Sequence, residues 1–141
     1  MKLRVAINGF GRIGRVFLRS VLKHHNIEVV AINDLSSAET MSHLFKYDSV
    51  HRTFEGKVSY TSDSIVVDDN PIYYSSISEP EKLPWKNLKV DIVLECTGNF
   101  KTMKLVSKHL KAGANKVILS APPIDSDIKT IVMGVNDDLI D

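Results

Sequence analysis

The chain has 141 residues, of which 43% are hydrophobic and 25% charged, and its formal net charge is +1. That length and balance suit one globular domain with a sizeable core and argue against a disordered chain, and they carry no charge excess to recruit nucleic acid or an anionic membrane. The single cysteine, Cys96, excludes an intrachain disulfide and fits a reducing compartment. The opening apolar run is too short for a signal-peptide core and no stretch reaches membrane-spanning length, so a soluble, cytoplasmic protein is expected.

The first element is "LRVAI" (3–7), an apolar, β-branched run stopped by Asn8-Gly9, which reads as a buried strand. A helix is predicted from about Gly11 to Lys23, with Ile13, Phe17 and Val21 on its apolar face and Arg12, Arg15, Arg19 and Lys23 on another. "IEVVAIN" (27–33) is the second strand. Ser36 as N-cap and Glu39 at the third helical position form a capping box, which predicts a helix to about Phe45.

The middle of the chain changes rhythm. "GKVSY", "SIVV" and "PIYY" are short β-like runs split by polar turns, which predict a small antiparallel excursion. A loop with Pro80, Pro84 and Trp85 follows, Trp85 being read as its anchor on the domain. "VDIVLECTG" (90–98) is the strongest buried-strand signal in the chain. Met103, Val106, Leu110 and Gly113 then define a helix face opposite Lys101, Lys104, Lys108 and Lys111, which read as a solvated surface rather than a nucleic-acid stripe. "NKVILSAP" (115–122) and "KTIVMGVN" (129–136) are predicted as the last two strands. Asp68-Asp69 and Asp137-Asp138 sit in turns without a further ligand at metal spacing, so no metal is expected.

Strands alternating with helices imply parallel βαβ units, and near-continuous apolar strands imply a sheet covered on both faces. The expected class is therefore α/β: a Rossmann-type, doubly wound, mostly parallel sheet with a small antiparallel excursion in the middle. In such a sheet the ligand crevice lies beyond the carboxyl ends of the strands.

Between the first strand and helix stands Gly9-Phe10-Gly11-Arg12-Ile13-Gly14, a Gly-x-Gly-x-x-Gly run. Each glycine has a separate task in dinucleotide binding: the tight turn, approach of backbone to a pyrophosphate, and close packing of helix on strand. The helix N-terminus adds unpaired N–H groups and partial positive charge for the phosphates. At the end of the second strand stands Asp34, whose carboxylate suits a ribose diol and repels a 2′-phosphate, favouring NAD over NADP. Glu95-Cys96-Thr97-Gly98 and Ser120-Ala121-Pro122 end two further strands and point to the same crevice.

The runs "VAINGFGRIGR", "AIND", "KYDSVH", "LPW", "VLECTGNF", "AGANKVILSAP" and "TIVMGVND" together resemble the N-terminal NAD-binding part of phosphorylating glyceraldehyde-3-phosphate dehydrogenases. The resemblance covers nearly the whole chain. It implies a glycolytic homotetramer in which a cysteine thiolate attacks the aldehyde of glyceraldehyde 3-phosphate. Hydride then passes to NAD, and inorganic phosphate releases 1,3-bisphosphoglycerate. By the same resemblance Arg12 and Ile13 follow the pyrophosphate turn, and Asn33 and Asp34 flank the adenosine. Thr97, Gly98 and Phe100 line the adenine and ribose side, Ser120 approaches the nicotinamide half, and Glu95 belongs to the crevice edge. Ser78 matches a cofactor-contacting position at which a backbone contact is expected, and Arg52, where relatives commonly have glycine, is expected at the surface. The family's Ser-Cys-Thr-Thr-Asn nucleophile motif does not occur, and Cys96 is read as a structural thiol rather than its substitute. Residues 1–141 are thus expected to form a cofactor domain, with the catalytic domain outside this chain. An erythrose-4-phosphate dehydrogenase domain and a non-catalytic nucleotide-binding module are the alternatives.

Overall fold

The structure is a computed structural model that describes residues 1–140. The predicted strands 3–7 and 27–33 form as β1 (Leu3–Asn8) and β2 (Ile27–Asn33), joined through α1 (Arg12–Val21). After β2 come α2 (Ala38–Lys46), a two-residue-per-strand hairpin of β3 (Tyr47–Asp48) and β4 (Arg52–Thr53), and then β5 (Val58–Tyr60), β6 (Ser64–Val67) and β7 (Asn70–Ser75). Next come β8 (Ile92–Glu95), α3 (Met103–Lys111) and β9 (Lys116–Leu119), and a short 3-10 turn over Asp137–Leu139 follows them.

Seven strands make one sheet in the order β5-β6-β7-β2-β1-β8-β9. The contiguous part from β7 to β9 is parallel, and β5 and β6 attach to its edge in antiparallel fashion. The antiparallel excursion is therefore continuous with the main sheet, because β7 serves both parts: it hairpins with β6 and pairs in parallel with β2. Strand order reverses between β1 and β8, the switch point beyond which α/β sheets hold ligands.

The sheet carries a core on each face. Ile7, Val29 and Ile32 pack with Leu18 and Val21 of α1 and with Met41 and Phe45 of α2. On the opposite face Ala6, Ala31 and Val93 meet Trp85, Leu83, Val90 and Ala112. Alternate residues of one strand thus serve opposite cores, as the pleat requires. Trp85 is fully buried, so the Pro84-Trp85 loop is anchored as the sequence implies.

Four sequence expectations are corrected by the structure. Ser37, not Ser36, caps α2, with its side chain accepting from Thr40 N; the Ser36 carbonyl instead accepts the Tyr74 hydroxyl. The buried line of α1 runs through Gly14, Leu18 and Val21 and leaves Ile13 exposed, because the helix meets β1 at its glycine. In α3 the buried residues are Val106 and His109, while Met103 and Leu110 stay exposed, since a polar histidine finds partners inside. No strand forms over 129–136. There Asn136 accepts from Val132 N and donates to the Thr130 carbonyl, and Gly134 takes φ +82°, so a local turn displaces extended pairing. As expected, Arg52 is exposed, and it adopts φ +64° as the first residue of β4, where the chain leaves the β3–β4 turn.

Candidate functional site

At the carboxyl ends of β1, β2 and β8 lies a cavity of about 390 Å³. Its floor and walls come from the loops that leave these strands and β7. Of the predicted residues, Gly9, Gly11, Asn33, Asp34, Ser78, Thr97 and Phe100 line it. Cys96, of the strand end read as pointing here, lines it too, and so do Asn8, Leu35, Ile77 and Asn99, which were not anticipated. Asn8 carries a signal that could have revealed it, one it shares with Asn33: a polar residue closing an otherwise apolar buried strand.

The three glycines differ in what surrounds them. Gly9 has φ +92°, and a Cβ there would stand 2.7 Å from Thr97 N and 2.9 Å from Cys96 C, all backbone. The turn and the close passage of the β8 loop both require it. A Cβ on Gly14 would lie 2.5 Å from the Gly9 carbonyl oxygen, where α1 presses on β1. Gly11 has nothing within 4 Å of the equivalent position, and it is the N-cap of α1 without a side-chain capping bond. Two glycines thus serve the fold, and the third leaves open space at a helix mouth whose N–H groups are suited to a diphosphate.

Asp34 ties the turn to the second strand. Its Oδ2 accepts from Phe10 N at 2.8 Å and its Oδ1 accepts from Ser36 N at 2.9 Å. A carboxylate has about four acceptor positions, so two remain for a ligand diol.

The other predicted residues lie differently. Phe10 is fully buried and packs against Phe45, so only its backbone belongs to the turn. Gly14 is buried in the helix–strand contact, and Arg12 and Ile13 are exposed on the first turn of α1 outside the cavity lining. Gly98, at φ +74°, shapes the loop after β8. Ser120 is exposed beyond β9 and donates from Oγ to the Glu95 carbonyl at 3.1 Å. Glu95 is not on the crevice edge: its side chain is fully buried beneath it, and it reaches the wall through Thr97 N (2.9 Å) and Thr97 Oγ1 (2.8 Å).

Burial, aided by the Glu95 charge, pushes the Cys96 thiol up against a lowering contribution from Ser120. The thiolate is the reactive form, so iodoacetamide is expected to modify Cys96 more slowly at pH 8 than it modifies an unstructured peptide thiol. Because Cys96 lines the cavity, a dinucleotide is expected to slow the reaction further. Intact mass follows a single adduct, and modification at the peptide rate, unaffected by NAD, would contradict this placement.

Comparison with known proteins adds the family context. A family model described as glyceraldehyde 3-phosphate dehydrogenase, NAD binding domain, matches residues 3–103. The glyceraldehyde-3-phosphate dehydrogenase of Thermotoga maritima is 53% identical over 137 residues, covering 96% of this chain and 41% of that protein. The protein of the same name from Geobacillus stearothermophilus is 51% identical over 141 residues, 100% of this chain and 42% of its own. That of Clostridium acetobutylicum is 47% identical over 138 residues, with 98% and 41% covered. The chain spans about two fifths of the length of these relatives.

Proposed function

The chain belongs to the family of glyceraldehyde-3-phosphate dehydrogenase NAD-binding domains, and from that premise we propose that residues 1–141 are the NAD-holding domain of such an enzyme, with the catalytic residues in a domain outside this chain. The observation that carries the reading is the division of labour among the glycines, with Gly11 open at the mouth of α1 while Gly9 and Gly14 are closed by packing. On this reading the α1 N-terminus and the Gly9–Gly11 backbone hold the diphosphate. Asp34 takes the adenosine ribose diol with its free acceptor positions, and Asn33, Ser78, Thr97, Gly98 and Phe100 shape the adenosine side. Arg12, Ile13 and Ser120 flank the extended dinucleotide at its outer edge.

NAD, when bound, supplies the hydride acceptor. The complete enzyme then oxidises glyceraldehyde 3-phosphate and, with inorganic phosphate, forms 1,3-bisphosphoglycerate in glycolysis. We further take that enzyme to be a cytoplasmic homotetramer without nucleic-acid or membrane partners, in keeping with a net charge of +1 and one cysteine. No helix among the described residues is long and apolar enough to cross a membrane.

Titration calorimetry tests the central element. NAD is expected to give a saturable heat with the 141-residue chain, and NADP a weaker one because its 2′-phosphate meets the Asp34 carboxylate. Absence of saturation at millimolar NAD would overturn the proposal.

A further inference from the structure

Beneath the crevice, four buried polar residues stand in register across four neighbouring strand ends. Ser75 of β7 pairs with Asn33 of β2, Asn33 with Asn8 of β1, and Asn8 with Glu95 of β8. None is more than 8% exposed. Their side chains form one hydrogen-bonded row. Ser75 Oγ donates to Asn33 Oδ1 at 2.7 Å, Asn33 Nδ2 donates to Asn8 Oδ1 at 2.8 Å, and Asn8 Nδ2 donates to Glu95 Oε1.

The row holds both walls of the cavity, one through Asn33 and the other through Glu95. Asn33 accepts from Ile77 N and donates to the Ile77 carbonyl, both at 2.9 Å, which pins the wall containing Ser78. Glu95 Oε2 accepts from Thr97 N and Thr97 Oγ1, and Thr97 Oγ1 in turn accepts from Asn99 N at 3.1 Å. Behind Glu95 lies His109, fully buried, with Nε2 3.0 Å from Glu95 Oε1 and its ring edge-on to Phe100 of the crevice lining. The indole Nε1 of Trp85 donates to His109 Nδ1 at 3.0 Å. An indole N–H can only donate, so Nδ1 is an acceptor, the ring is neutral, and its proton sits on Nε2 facing Glu95. The contact is therefore a neutral imidazole donating to a carboxylate rather than an ion pair. Four donors converge on Glu95: Asn8, His109, and two from Thr97.

A buried carboxylate is costly, and replacing buried charge with well-packed apolar groups is often neutral or stabilising. Stability alone is thus a poor reason for Glu95. We propose that Glu95 and His109 are positioning residues for dinucleotide binding: through the row they fix the spacing of the Ile77–Ser78 and Thr97–Asn99 walls, and through His109 they link occupancy of the crevice to Trp85. The proposal rests on the reading of the crevice as the NAD site. Neither residue touches the ligand in this scheme; Glu95 acts through Thr97 and Asn33, and His109 through Glu95 and through its ring contact with Phe100.

The chain has one tryptophan, so a ¹⁵N-labelled sample gives one indole N–H resonance by which to follow the buried end of the network during NAD titration. Changes at the Gly9 and Gly11 amides report binding itself. In the parent chain, NAD is expected to shift the Trp85 indole resonance although Trp85 does not line the cavity. Glu95→Gln leaves one oxygen where two faced donors, and is expected to raise the NAD Kd about tenfold or more and to abolish the Trp85 response. His109→Gln retains one donor and one acceptor and should keep both affinity and response, whereas His109→Leu should lose both. Val67→Ala, a truncation in the other core, controls for stability loss and should retain both. Glycine amides that respond while Trp85 stays silent in the parent would overturn the coupling. Unchanged affinity in Glu95→Gln and His109→Leu would overturn the positioning role. Unresponsive glycine amides at saturating NAD would overturn the crevice reading and this proposal with it.

Discussion

Alanine at Gly9, Gly14 and Gly11 is expected to give three distinct outcomes, with Gly9→Ala the most damaging. Its new Cβ meets backbone atoms of Cys96 and Thr97 at 2.7–2.9 Å, and those atoms belong to the loop leaving a central strand. They cannot rotate away as a side chain could. A positive φ of 92° adds strain of about 1–3 kcal/mol for a non-glycine residue, and overpacking adds about 1–3 kcal/mol. Against a typical domain stability of about 5–15 kcal/mol, Gly9→Ala should lower Tm by about 10 °C or more. Gly14→Ala should also destabilise, since its Cβ would lie 2.5 Å from the Gly9 oxygen, with partial relief of about 1 kcal/mol from better helix propensity. Gly11→Ala should melt within a degree or two of the parent, because nothing stands within 4 Å, yet lose NAD affinity at least tenfold as the methyl enters the ligand's space. Thermal melts paired with NAD titrations separate the three. A Gly11→Ala chain that binds NAD like the parent would refute the assignment of that space to the diphosphate.

Asp34→Ala should weaken NAD strongly in a chain that still folds. A charge-assisted hydrogen bond contributes about 1.5–3 kcal/mol, or roughly one to two orders of magnitude in Kd. The preference against NADP should narrow as well, because the repelling charge is gone. The structure adds a second effect. Asp34 also accepts from Phe10 N and Ser36 N, so its loss removes one of the ties on the glycine turn, beside the bond from Gly9 N to the Asn33 carbonyl, and should lower Tm as well. Asp34→Asn keeps one acceptor oxygen for the turn but no charge, and should recover part of the stability without restoring the NAD preference. Equal NAD affinity in parent and Asp34→Ala would refute the ribose role.

What the sequence made legible followed from period and punctuation. β1, β2 and β8 are apolar runs ended by polar or glycine residues, and a buried parallel sheet requires little else of its central strands. The glycine spacing marks the strand-to-helix turn by itself, whereas the demand on Gly9 comes from the β8 loop far away in sequence and Gly11 meets no protein atom, so what each glycine does is visible only in the fold. Other features depend on contacts across the sheet. Asn8, Asn33, Ser75 and Glu95 are scattered in sequence and meet only when register brings their strands together. His109 resembles any histidine on a helix until Trp85, 24 residues away, offers its indole N–H. The β-branched run at 130–132 reads as a strand, but a strand needs a pairing partner, and the Asn136 side chain supplies the local bonds instead. The cap of α2 lies one residue later than the capping-box spacing to Glu39 suggests, because the Ser37 side chain takes Thr40 N while the Ser36 carbonyl is held by the Tyr74 hydroxyl, a contact no local spacing shows.

The central claim is that the open mouth of α1, between Gly9 and Asp34, is where this chain holds the diphosphate and ribose of NAD. A crystal structure of the chain grown with saturating NAD tests it most directly. Diphosphate density is expected against the Gly11 backbone, with the adenosine ribose hydroxyls on the Asp34 carboxylate. Density for the dinucleotide elsewhere on the molecule, or an empty crevice at saturation, would contradict it.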